Sequence, residues 1–127
     1  MAIYRELTLR LPNSPGALSG VCRLLGDERV NILALALESS GLLRVVVDNH
    51  VHGGAVLREH HHQVAERDVI LTRIPNTPGS AAGALQLAAD GGVNVEYAYG
   101  GVDDGSFTAT VVIGVEDAER AAAASGL

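Results

Sequence analysis

The hexapeptide LPNSPG (residues 11–16) returns as IPNTPG (residues 74–79), and each copy precedes an apolar pattern of helical period. Sliding the chain by 63 residues aligns Pro12–Ile32 with Pro75–Val95 without a gap, and nine of the 21 positions are identical. The identities include both prolines of the turn, Asn13/Asn76, Gly16/Gly79 and Asn31/Asn94, a second asparagine beyond the expected helix. A shared period of this length marks an internal duplication, and it organises the reading of the whole chain.

Each copy predicts the same series of elements. Residues 3–11 alternate, with Ile3, Leu7, Leu9 and Leu11 on one side, which is strand periodicity; the matching run is Val69–Ile74. After the turn, Ala17, Leu18, Val21, Leu24 and Leu25 form a helical stripe. Ala81, Ala84, Leu85 and Ala88 repeat it, and Gly91-Gly92 should stop the second helix. Second strands follow at 31–38 and 94–100. Turns at Ser39-Ser40-Gly41 and Asp103-Asp104-Gly105 lead into third strands at 42–48 and 106–114, and second helices at roughly 53–64 and 117–124.

The order β-α-β-β-α, twice, predicts an α+β protein of two ferredoxin-like repeats, residues 1–67 and 68–127, with helices on one face of antiparallel sheets. The fold expects a fourth strand in each repeat, and the residues run short. QVAERDVILTRIP (residues 63–75) must end the first copy, open the second, or do both. The economical arrangement sets strand 68–74 beside strand 3–11, each filling the other's vacant edge.

Composition narrows the function. The chain has 127 residues, 47% apolar and 19% charged, with a net charge of −6. That suffices to bury a core, and it lacks the basic stripe that nucleic acid or an anionic membrane surface requires. No apolar run approaches the ~18–20 residues of a membrane span. The opening MAIYRELTLR carries charges where a signal peptide needs an apolar stretch. Cys22 stands alone, which excludes an intrachain disulfide and suits a reducing compartment. These features predict a soluble, cytoplasmic protein. No phosphate-binding loop and no nucleophile motif is present, so catalysis and cofactors are not expected.

The turn itself reads as a helix start, with Ser14 and Thr77 as N-caps and Pro15 and Pro78 at the first helical position. Gly16 and Gly79 then fall where neither propensity nor capping demands glycine, so a missing Cβ would let a ligand reach the helix N–H groups. Ordinary turn chemistry is the competing explanation, as is an αL helix cap for Asn31 and Asn94.

Strand, then Asn-x-Pro-Gly opening a helix, then Val-Asn-Ile/Val opening a strand, resembles the ACT domain. Two copies resemble the small stand-alone tandem ACT proteins. The resemblance implies a regulatory module that binds a small amino acid at interfaces between domains. Asn13 and Gly16, or Asn76 and Gly79, would hold the ligand's polar groups, and Asn31 or Asn94 would come from a neighbouring domain. It also implies a homodimer or homotetramer, with a metabolic enzyme as a possible partner. An oligomerisation or docking module without a ligand is the alternative.

Five histidines lie between residues 50 and 62. On an extended segment His50 and His52 would face the same side and form candidate metal ligands; solvated histidines, with His60 partly buried on the helix stripe, are the simpler reading. Tyr97 and Tyr99 share one strand face and are expected to pack beneath the helices rather than line a pocket.

Overall fold

The computed structural model describes residues 2–101 and 105–124. Its elements run β1 (Ala2–Arg10), α1 (Ala17–Asp27), β2 (Ile32–Leu37), β3 (Leu42–Val47), α2 (His50–Glu59), β4 (Ala65–Pro75), α3 (Ser80–Asp90), β5 (Val95–Gly101), β6 (Thr108–Val115) and α4 (Ala118–Ala124). The predicted β-α-β-β-α order is therefore present twice. Two compact units result, Arg5–Arg67 and residues 68–101 and 105–124 with residues 2–4. β4 serves both repeats: its residues 65–67 cluster with the first unit and the remainder with the second. Glu66 ties that stretch into the first unit, 3.0 Å from Arg58 and 3.7 Å from Arg5.

In the first unit β3 lies between β1 and β2, antiparallel to both, with Leu7↔Val45 and Leu35↔Val45 in register. Alternation sends Leu7, Leu9, Leu43, Val45 and Val47 to one face, where Val21 and Leu25 of α1 and Leu57 of α2 close the core. The opposite face carries Glu6, fully buried, whose carboxylate meets the Arg44 guanidinium at 3.4 Å. A carboxylate withdrawn from water needs such a partner.

In the second unit β6 lies between β4 and β5, both antiparallel to it. Ile70, Ile113 and Val115 face a helix layer built largely from alanine: Ala88, Ala118, Ala121 and Ala122. The duplicated frame thus holds two differently filled cores, Leu/Val-rich and Ala-rich.

The Pro-Gly turn has a definite geometry. Gly16 adopts φ 84, ψ −5 and Gly79 adopts φ 87, ψ −8. Ala17 N donates to Ser14 O at 3.3 Å, and Ser80 N to Thr77 O at 3.2 Å. Proline followed by a left-handed residue, closed by this bond, is a type II turn. The helices accordingly begin at Ala17 and Ser80, with Gly16 and Gly79 in the N-cap position and no side-chain cap bond. The expected capping by Ser14 and Thr77 is corrected: the turn spends those residues two positions before the cap. Stereochemistry accounts for the glycines, since a Cβ at Gly79 would meet nothing within 4 Å.

Other boundaries also shift. α2 begins at His50, not near residue 53, because Asn49 caps it by accepting from His52 N at 3.1 Å. It ends at Glu59, and His61 turns left-handed at φ 69. The Gly91-Gly92 stop is present, with Gly92 at φ 68 and Val93 N donating to Ala88 O at 3.0 Å. Asp103 and Asp104 of the expected turn lie outside the described residues.

Tyr97 and Tyr99 do not lie beneath the helices. Their partners across the ladder are Gly114 and Val112, so they occupy the face opposite Ile113 and Val115. Their rings stack with centroids 6.3 Å apart, and the Tyr97 ring lies over Gly114, where a Cβ would fall inside it.

Two stability tests follow from these geometries. Gly16→Ala and Gly79→Ala should each cost about 1–2 kcal/mol in urea denaturation, from forcing an L-residue into the left-handed region. Gly114→Ala should cost about 1–3 kcal/mol by overpacking. Combining it with Tyr97→Ala should recover part of that loss, as a double-mutant cycle would measure.

Candidate functional site

Each turn forms one wall of an open hollow in its own unit. In the first, Asn13, Gly16 and Leu18 face the end of β2 at Leu37 and Glu38, enclosing about 900 Å³. In the second, Asn76, Gly79 and Ala81 face Tyr99, Gly100 and Gly101 at the end of β5, enclosing about 450 Å³. The two hollows occupy corresponding places in the duplicated frame. Both are anchored from behind by a hairpin: Leu11 N donates to Gly41 O at 2.8 Å, and Asn76 N to Phe107 O at 2.9 Å.

The hollow opens onto the first helical turn, where backbone N–H groups lack acceptors from within the helix and the helix dipole favours negative charge. Asn13 offers its amide beside them and, among the described residues, has no side-chain partner. Asn76 is more committed, its Nδ2 donating to Ser106 O at 2.9 Å. The two copies therefore keep the residue while differing in how freely its side chain turns.

Asn31 and Asn94 lie elsewhere. Eleven-residue helices separate them from the turns, a distance of about 16 Å at 1.5 Å per residue. Neither lines the hollow of its own unit. Their backbone N–H groups are held by Asp48 Oδ1 at 3.0 Å and Glu116 Oε1 at 3.2 Å, leaving both side chains exposed. The left-handed helix-ending position belongs instead to Arg29, φ 58, and to Gly92, φ 68. Capping thus explains Arg29 and Gly92 but not the repeated asparagines two residues later.

The histidine pair is corrected. His50 and His52 lie on α2 rather than an extended segment, so two residues at ~100° each point them to opposite sides of the helix. His52 meets Glu28 at 3.7 Å. His60 is exposed, with Nδ1 3.0 Å from Val56 O, whereas His50 and His62 are half-buried. Among the described residues, no three His, Cys, Asp or Glu side chains gather as a metal set. No helix among them is long and apolar enough to cross a membrane.

Sequence reasoning passed over Glu38, Tyr99 and Cys22 as wall residues of the hollows. Tyr99 lies on β5 and Glu38 just past the end of β2, and the available signal was that the 63-residue offset carries both stretches to the same place in their repeats.

Comparison with known proteins agrees with this frame. No curated protein sequence matches the chain. A crystal structure of a Bacteroides thetaiotaomicron protein superposes with TM-score 0.86 at 28% identity, covering 98% of this chain and 87% of that one. The ligand-free regulatory subunit of aspartate kinase from Thermus thermophilus gives TM-score 0.71 at 20% identity, covering 98% and 92%. Aspartokinase III of E. coli, solved in complex with lysine and aspartate, gives 0.60 at 18%, covering 95% of this chain and 31% of that one. The model of the ACT domain pair matches residues 1–123. With two βαββα repeats, each opened by an Asn-x-Pro-Gly turn, this chain belongs to the ACT domain pair family.

Proposed function

We propose that this chain is a non-catalytic regulatory protein that binds a small amino acid at interfaces between ACT domains. One observation carries the reading: the same hollow recurs in both units, with Asn and an open helix start on its wall. The amide and the helix N–H groups suit a ligand carrying a carboxylate. Asn31 and Asn94, exposed and unexplained by capping, then complete the hollow of a neighbouring domain, which implies a homodimer or homotetramer. The likeness in fold to a regulatory subunit of aspartate kinase, and to an aspartokinase crystallised with lysine and aspartate, supports the same class of ligand.

The mechanism is linkage rather than chemistry. A ligand held by residues of two domains favours the assembly in which both halves meet, so the interface reports the ligand's concentration to a partner such as a metabolic enzyme. A docking module without ligand is the second reading. It is favoured by β2, all apolar, with Leu35 and Leu37 each more than one-third exposed.

Thermal melting against the twenty amino acids separates them. A ligand at a hundredfold excess over its Kd should stabilise the protein by about 2.7 kcal/mol. Asn31→Ala with Asn94→Ala should remove that shift while leaving the ligand-free melt unchanged. Identical melts across the whole panel would leave the docking reading standing instead.

A further inference from the structure

Asn31 and Asn94 stand immediately before β2 and β5, and in both copies an acid holds the asparagine backbone. Ile32 faces Val47 and Val95 faces Val115, so the next pairs outward are Asn31 with Asp48 and Asn94 with Glu116. Asp48 and Glu116 are each the first residue past the third strand of their repeat. Asp48 Oδ1 accepts from Asn31 N at 3.0 Å, and Glu116 Oε1 from Asn94 N at 3.2 Å. Asp48 N also donates to Asn31 O at 3.0 Å, so this acid grips the asparagine backbone twice. The separations differ, 17 residues in the first copy and 22 in the second, so an ungapped alignment does not match the two acids.

Two further features fix the same stretch of backbone. The preceding valines, Val30 and Val93, are buried, and their N–H groups donate to Leu25 O at 2.9 Å and Ala88 O at 3.0 Å. Just past the asparagines each ladder carries a register shift, between Ile32 and Ala34 and between Val95 and Tyr97. Such bulges re-aim the residues beside them. The backbone is thus fastened before, at and after each asparagine. Both side chains are nevertheless exposed and have no hydrogen-bond partner among the described residues. The residue after each acid caps the following helix: Asn49 Oδ1 accepts from His52 N, and Asp117 Oδ1 from Arg120 N.

We propose that Asp48 and Glu116 are positioning residues of the ligand site. They act through Asn31 and Asn94, holding each amide in the orientation that meets a ligand in the hollow of a neighbouring domain. The proposal rests on the amino-acid reading, in which those asparagines complete the hollow. Folding alone does not ask for the acids. Both asparagines are exposed, so water would satisfy their N–H groups, and helix capping falls to Asn49 and Asp117. A carboxylate acceptor makes the bond charge-assisted and orders the asparagine before the ligand arrives.

The probe is the L-amino acid that gives the largest melting shift among the twenty, titrated calorimetrically into the full chain below its melting range. Asp48→Ala with Glu116→Ala should weaken its binding about tenfold, since the freed asparagines must then be ordered on binding. Asp48→Asn with Glu116→Gln keeps a carbonyl oxygen in place and should retain the natural affinity. Circular dichroism checks the fold. Each single alanine variant, weakening half of the sites, serves if the double variant does not fold. Natural affinity in the alanine variants would overturn the proposal and leave amino-acid binding intact. A loss in the amide variants as large as in the alanine ones would also overturn it, by setting the charge itself against the ligand. An unmoved melt of the natural protein with all twenty would overturn both readings.

Discussion

A glycine at positive φ between a proline and a helix is the constraint on which the rest of each repeat depends. Gly16 and Gly79 turn the chain from strand into helix through a type II turn, whose third residue must be left-handed. The turn sets where the helix axis begins, and so where the apolar stripe of α1 or α3 meets its sheet. It also brings the open end of the helix beside the asparagine, forming one wall of the hollow. Backbone stereochemistry and the site geometry are here a single feature. Glycine is needed for the conformation, and the accessible helix start follows from it.

Around this shared turn the copies have diverged in what they bury. The first packs leucines and valines of α1 and α2 onto its sheet, and the second packs alanines of α3 and α4. Small residues let helix and sheet backbones approach, so each layer contributes less apolar area per residue in the second unit. The first unit also carries an acid–base–acid series, Glu6–Arg44–Glu38, running from a fully buried carboxylate to the rim of the hollow. Burial of Glu6 is tolerable because Arg44 accompanies it, and that requirement fixes Arg44 near Glu38. A demand of the core thereby shapes the edge of the hollow.

The duplication, the strand alternation and the α1 stripe were legible because they are periodic, and period is a property of sequence alone. The start of α2 was less so: Asn49 caps a helix whose first residues, His50-Val51-His52, carry no clear stripe. With that start goes the meaning of the histidine pair, since two residues apart faces one way in a strand and opposite ways in a helix. Tyr97 and Tyr99 share a face, as their spacing predicts. Which face depended on their pairing with Gly114 and Val112 across β6, and a bulge between Val95 and Tyr97 obscures that register in the sequence.

The sequence by itself determined the two βαββα repeats, the turn that opens each first helix, and the recurrence of Asn13, Gly16 and Asn31 at Asn76, Gly79 and Asn94. These depend on local propensity and spacing, which need no knowledge of what packs against what. Only the tertiary structure decided that Gly16 and Gly79 answer to backbone dihedrals and that Arg29 and Gly92, not the asparagines, end the helices. It alone brought Glu38 and Tyr99 to the walls of the hollows. The reason is physical: dihedrals within a turn and the neighbours across a sheet are set by hydrogen bonds such as Ala17 N to Ser14 O and by the ladder registers. Residue spacing along the chain does not specify those partners.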